Sequence, residues 1–374
     1  MMHAIVGGRV LLADGFADGT VILVADGRIH GLQDESEPVP SDFTLIDAAG
    51  RYVVPGFIDT QVNGGGGVLF NDAPTVSGIA AIAQAHQKYG TTGLLPTLIS
   101  DDLAVVKQAL TAVESAIKAG IPGVLGIHLE GPYLAPAKRG IHDDRFFCAL
   151  DDESMALISR PTGGRTVVTL APECTTPERI HALTTRGVIV ALGHTNASAS
   201  EALSAFDAGA TGVTHLYNAM SPLHGRAPGV VGASLADPRP WCGLIVDGHH
   251  VDPLSLRIAL RARPHDRFML VTDAMQCVGT ALTTFDLQGQ TIHVRDGACR
   301  AEDGTLAGSA ADMLTCVRTA ARTLGLPLAT VFRMSSQYPA DFLGLSATHG
   351  RIAPGCAADL IAVSGALDRV DRLL

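Results

Sequence analysis

Four apolar runs in this chain each finish on a side chain that can hold a metal or move a proton. Gly126-Ile-His-Leu-Glu-Gly-Pro132 carries its run to Glu130, and Gly131-Pro132 then turns the chain away. Gly187-Val-Ile-Val-Ala-Leu-Gly-His194 and Gly212-Val-Thr-His215 end on histidines, and Arg267-Phe-Met-Leu-Val-Thr-Asp273 ends on an aspartate. Short apolar runs bounded by turn residues read as buried parallel strands. Parallel strands that all finish in chemistry-bearing groups imply a barrel with its reactive residues gathered at the C-terminal mouth.

The rest of the chain supports that frame. From Arg51-Tyr-Val-Val-Pro-Gly-Phe-Ile-Asp59 onward, strand-like runs alternate with helical spacing. Helices are expected over Thr75 to Gly90, from Ser100 or Asp101 to Ala119, from Thr176, over Ser198 to Ala208, over Ser309 to Leu324 and over Pro327 to Met334. A polar hairpin is expected around Phe285 to Val294. Residues 1 to about 50 are short β-like pieces with Asp14-Gly15 and Asp26-Gly27 as hairpin turns, and the end of the chain returns to β. The expected fold is α/β: a TIM-like (β/α)8 barrel over residues 53–344. A small β-sandwich domain is expected from both termini, residues 1–52 and 345–374.

At 374 residues with 47% hydrophobic content, the chain can fill a barrel core. No apolar run of membrane-spanning length is present, and Met1-Met-His-Ala-Ile has no basic segment ahead of an apolar one, so a cytoplasmic location is expected. Seven scattered cysteines, never spaced Cys-x-x-Cys, argue against a disulfide framework and against a thiolate zinc site. A net charge of −10 without a basic run argues against nucleic acid as a partner.

The chemistry follows from residue types. A hydrolytic zinc site takes about three nitrogen and oxygen ligands and leaves a position open. Glu130, His194 and His215, at strand ends of the same phase, suit that role, although each alone could be a hydrogen-bonded scaffold residue. A divalent ion lowers the pKa of bound water from about 15.7 toward about 7. A nearby carboxylate can then take the proton and later return it to a leaving amine. Asp273 is the candidate; taken alone it could equally cap a helix or anchor a loop. Gln61 and Asn63 lie on one face of an extended segment. Neutral amides are poor zinc ligands, so they would hold water or orient the site, or simply form a polar strand end. His142, Asn218, Arg226, His249 and His250 are loop candidates for substrate contact. Arg226 suits a phosphate, although a lone loop arginine is most often solvated.

Taken in order, several motifs resemble the amidohydrolase superfamily, and within it the deacetylases of amino-sugar phosphates. They are Pro55-Gly-Phe-Ile-Asp-Thr-Gln-Val-Asn-Gly, His128-Leu-Glu-Gly-Pro-Tyr, Leu192-Gly-His-Thr-Asn, Thr214-His-Leu-Tyr-Asn-Ala-Met, Asp247-Gly-His-His-Val, Val271-Thr-Asp-Ala-Met, Gly304-Thr-Leu-Ala-Gly-Ser and the terminal Gly-Arg-Ile-Ala-Pro-Gly. Any one is weak; the ordered set is specific. The resemblance implies metal-dependent hydrolysis of the acetamide of N-acetylglucosamine 6-phosphate to glucosamine 6-phosphate and acetate. It implies one divalent ion per subunit on Glu130, His194 and His215, zinc first with iron or manganese as alternatives. Asp273 would be base and acid, and His142 would assist at the carbonyl. Ile141, Asn218, Ala219, Arg226, His250, Leu306, Ala307 and Gly308 would hold substrate. A homodimer is implied in which Arg226 and His250 reach the neighbouring site. Gln61-Val-Asn63 replaces the superfamily's common His-x-His, which points to one metal rather than two. Two other readings are an amidohydrolase acting on an N-acyl amino acid or cyclic amide, and a catalytically silent sugar-sensing scaffold. The latter would be expected to lose its base or its ligands.

Overall fold

The computed structural model describes residues 1–374. Its centre is an eight-stranded parallel sheet whose strands follow one another in chain order: Phe57–Val62, Thr91–Ile99, Gly126–Glu130, Arg165–Leu170, Ile189–Leu192, Gly212–Val213, Trp241–Ile245 and Phe268–Val271. The first and last strands meet where the Asp273 amide donates to the Gln61 carbonyl at 3.0 Å and Val62 bridges Ala274, so the sheet closes on itself. Phe57–Val62 and Gly126–Glu130 are buried along their whole length, their polar Asp59, Gln61, His128 and Glu130 included.

Local chemistry sets the helix starts. Thr75 accepts from the Gly78 amide at the head of Val76–Gln87. Thr176 with Pro177 opens Pro177–Thr185, and Ser198 with Glu201 forms a reciprocal capping box for Ala199–Asp207. Two expected starts are displaced. The second helix begins at Leu103, not at Ser100 or Asp101. The Ser100 hydroxyl is engaged with His142 at 2.9 Å, and the Asp101 carboxylate accepts from Asn71 and from the Asp102 amide. The helix expected from Ser309 starts at Met313, capped by Asp312. Ser309 is instead tied into a strand: its amide donates to the Asp273 carbonyl and its own carbonyl accepts from Met275.

The hairpin expected near residue 290 is half of a larger element. Thr284–Leu287, Gln290–Arg295, Ala298–Arg300 and Leu306–Ser309 form a four-stranded antiparallel flap over the barrel mouth. Its small core, built from Phe285, Leu287, Ile292 and Cys299, is shared with Leu69, Ile99 and Met275 at the barrel mouth.

The terminal segments build two further sheets. One holds Met2–Val6, Thr20–Ala25, Arg28–Asp34 and Thr44–Asp47; the other holds Arg9–Leu12, Gly15–Ala17, Tyr52–Pro55, Leu360–Val363 and Val370–Arg372. Asp26 and Gly27, both with positive φ, make the tight turn between Thr20–Ala25 and Arg28–Asp34. A separate core containing Ile5, Val10, Ile22, Val53 and Leu360 joins the two ends of the chain. No helix is long and apolar enough to cross a membrane.

Candidate active site

Each chemistry-bearing residue sits where a barrel strand hands over to its loop. Glu130 is the last residue of its strand, while His194, His215 and Asp273 follow shortly after theirs. Those three share a left-handed backbone, with φ of +47°, +31° and +53°. Such a conformation costs a non-glycine residue about 1–3 kcal/mol and clusters at functional sites. Here it bends three equivalent strand ends so that their side chains converge.

The convergence is tight. His215 Nε2 and His194 Nε2 lie 2.9 and 3.2 Å from Glu130 Oε1, and 3.1 Å from each other. The Lys138 carbonyl lies 2.9 Å from His194 Nδ1. A carbonyl only accepts, so Nδ1 carries a proton and Nε2 faces the cluster. His215 Nδ1 has no protein partner. Two imidazole nitrogens and a carboxylate oxygen aimed at one point repel one another unless a positive charge lies between them. Charge also couples the three groups to one another. Burial alone would raise the Glu130 carboxyl, but hydrogen bonds and charge from His194 and His215 outweigh it and hold it well below its ordinary value. Against the same burial, Glu130 lifts His215 above its own. The three residues form a buried cluster able to bind a metal, and nitrogen–oxygen donors of this kind suit zinc, iron or manganese.

Asp273 leans over this cluster. Asn63 and Gln61 donate to its Oδ1 at 2.7 and 3.2 Å, and the Gln61 amide also reaches Glu130 Oε1 at 3.1 Å. The two amides thus hold the carboxylates through their nitrogens, and Asn63 Oδ1 is buried without a protein partner. Oδ1 is saturated, which leaves Oδ2 for proton transfer. Burial, then the Glu130 charge, pushes Asp273 up to about 6.

His142 is 3% exposed, with Nε2 4.0 Å from Glu130 Oε2. Its Nδ1 accepts from the Ser100 amide at 3.3 Å and lies 2.9 Å from the Ser100 hydroxyl. A backbone N–H can only donate, so the ring proton sits on Nε2, toward the cavity. Burial drives its pKa down to about 3, and the ring is neutral at pH 7.

These groups line a cavity of roughly 330 Å³ together with Ile141, Asn218, Ala219, His250, Leu306 and Gly308, and Lys138 adds a cation. The strand alternation at 306–309 sends Ala307 the other way, into the flap core at 0% exposure; its side chain faces no substrate. Arg226 is exposed on its loop and does not line the cavity of its own chain. His250, expected in a neighbour's site, already lines its own. Its Nδ1 pairs with Asp247 Oδ2 at 2.7 Å. Burial would raise the Asp247 carboxyl, but the His250 hydrogen bond and charge hold it down at about 2. His249 is exposed and contributes a backbone amide to Asp247.

Sequence reasoning missed the supports. Asp247 lies three residues before His250, a spacing that could have revealed it. Ser100 as the seat of His142 had no local signal. Nor did Asp59, a carboxyl raised to about 7 by burial that accepts from the Thr272 hydroxyl. That bond gives Thr272 a scaffold role.

A barrel with this mouth defines a class, and the chain belongs to the amidohydrolase family, whose model matches residues 52–372. Within that class its likenesses are narrower. It is 43% identical to the N-acetylgalactosamine-6-phosphate deacetylase of Shewanella sp. (strain ANA-3), across 95% of this chain and 90% of the relative. It is 39% identical to the N-acetylglucosamine-6-phosphate deacetylase of Bos taurus, across 86% and 81%. The crystal structure of N-acetylglucosamine-6-phosphate deacetylase from Pasteurella multocida superposes with a TM-score of 0.95 at 35% identity, covering 99% of this chain and 97% of the other.

Proposed function

We propose that this chain removes acetate from the 2-acetamido group of an amino-sugar 6-phosphate. N-acetylglucosamine 6-phosphate is the leading substrate, giving glucosamine 6-phosphate. The observation that carries the reading is Asp273 held over the Glu130–His194–His215 cluster with one oxygen free. The relatives favour an amino-sugar phosphate over an N-acyl amino acid or a cyclic amide. A silent scaffold does not explain why ligand set and base are both complete.

Glu130, His194 and His215 would hold one divalent ion, zinc first, whose charge polarises the amide carbonyl and acidifies water. Asp273 Oδ2 accepts the proton of the attacking water. The same oxygen then delivers it to the departing sugar nitrogen, so the carboxylate ends as it began. His142 donates its Nε2 proton as a hydrogen bond to the amide oxygen, where negative charge builds as water adds. Lys138 and His250, the latter oriented by Asp247, line the same cavity and would meet the phosphate. We also propose a homodimer that brings Arg226 to the partner's phosphate end. Leu223 near it in sequence and Leu254 and Ile258 on Pro253–Ala262 are 53%, 63% and 58% exposed, apolar groups that pairing would cover.

Acetate release from the gluco and galacto 6-phosphates, and from unphosphorylated N-acetylglucosamine, tests the reading. Turnover of a phosphorylated sugar with kcat/KM at least tenfold above that of the free sugar is expected; equal turnover of both would reject the phosphate assignment.

A further inference from the structure

We propose that Gln288, at the tip of the flap, is a positioning residue that latches the flap to the seat of His142. The inference rests on the reading of His142 as the group that meets the amide oxygen.

Gln288 connects two strands of the flap, Thr284–Leu287 and Gln290–Arg295. Its side chain leaves the flap and makes two bonds to main chain elsewhere. Nε2 donates to the Ser100 carbonyl at 2.8 Å, and Oε1 accepts from the Asp143 amide at 3.2 Å. These two backbone sites bracket His142. Ser100 presents its amide and hydroxyl to His142 Nδ1, and Asp143 is the next residue in the chain. One primary amide, donor and acceptor together, therefore ties the end of the second barrel strand, the His142 loop and the flap into one unit.

The backbone adds an independent observation. Gln288 has φ +52°, and Gly289 after it has φ +83°, with the Gly289 amide donating to Asp286 Oδ1. Glycine or asparagine is the favoured residue at such a corner, and glutamine holds it only at a backbone cost. Glycine has no side chain, and asparagine, one methylene shorter, cannot span the same gap with both its donor and its acceptor. Leu287 on one side of the latch lines the cavity, as do Leu306 and Gly308 on the last flap strand. The flap is thus part of the wall of the cavity that holds His142, and Gln288 fixes it against the His142 loop.

The test exploits that corner. Gln288→Gly removes the latch while relieving the backbone, so folding is not the variable; Gln288→Ala, read beside it, keeps the strain. Kinetics of acetate release from N-acetylglucosamine 6-phosphate are measured for wild type, both variants, His142→Gln, and the double variant of Gln288→Gly with His142→Gln. Hydrogen exchange over residues 139–147 is followed in parallel. Both Gln288 variants should lower kcat on the order of tenfold with KM changed by less than about threefold. Exchange over 139–147 should quicken, and Gln288→Gly should cost nothing further in the His142→Gln background. Wild-type kcat in Gln288→Gly, or a full independent loss in the double variant, would overturn the proposal. If His142→Gln itself keeps wild-type kcat, the positioning role falls as well, and the fault then lies in the reading of His142; faster exchange over 139–147 would still register the latch as a physical bond.

Discussion

The barrel mouth and the flap face each other across one cavity and are built by opposite means. At the mouth, Glu130, His194, His215 and Asp273 are carried by parallel strands whose register is fixed along the whole closed sheet. Their supports are close at hand: buried Gln61 and Asn63 at the two carboxylates, the carbonyl of half-buried Lys138 behind His194, buried Ser100 behind His142. The flap is an antiparallel sheet whose small core is shared with Leu69, Ile99, Met275 and Cys277 at the barrel mouth, and it is tied on by bonds such as those of Gln288 and Ser309. The difference teaches where precision is kept. Groups proposed to exchange protons and hold charge are placed by the sheet, and the wall that shapes the substrate space is held against it by shared packing and a few hydrogen bonds.

That contrast gives variants of graded effect. Removing a donor at the mouth should be most severe. His215→Ala is expected to lose its bound metal by elemental analysis and to cut turnover roughly a thousandfold or more; normal metal content would show that the three groups do not work as one site. Asp273→Asn should lower kcat by about 10²–10⁴-fold with KM close to wild type, because it removes only the proton carrier. A large rise in KM with kcat preserved would instead make Asp273 a binding residue.

Smaller changes separate the two regions. Ile127 in the barrel core and Ile292 in the flap core are both fully buried. Ile127→Ala should destabilise the whole fold by about 2–5 kcal/mol in denaturant titration. Ile292→Ala should show as faster proteolysis within residues 284–309 and a raised KM, with less effect on global unfolding. Equal loss of global stability would mean that the flap is no separate unit.

The smallest expected effect is a displacement in pH. Asp273 must be ionised to accept a proton, so kcat/KM should fall about tenfold per unit once pH drops below its pKa. Asn63 stabilises the ionised form by donating to Oδ1. Asn63→Ala should therefore move the acid limb to higher pH. A shift to lower pH would contradict the assigned direction of that bond.

What could be read in advance followed the same division. A parallel strand delivers its last side chain to one end of the sheet, so Glu130, His194, His215 and Asp273 could be gathered from sequence alone. Gln61 and Asn63 could be placed on one face by their spacing, though which groups they would hold could not. The flap resisted because Ala298–Arg300 and Leu306–Ser309 are three and four residues long and owe their pairing to distant contacts. Ser309 read as a helix start because its amide's partner, the Asp273 carbonyl, lies far away in sequence. Gln288 and Ser100 carry no local pattern at all; their roles exist only once three loops have met.

The most direct measurement is metal content paired with turnover in the same preparation. Elemental analysis of the purified chain should find one divalent ion per subunit. Acetate release from N-acetylglucosamine 6-phosphate should vanish on chelation and return when the ion is restored. Undiminished release from protein shown to be metal-free would contradict the assignment of Glu130, His194 and His215 as the centre of the chemistry.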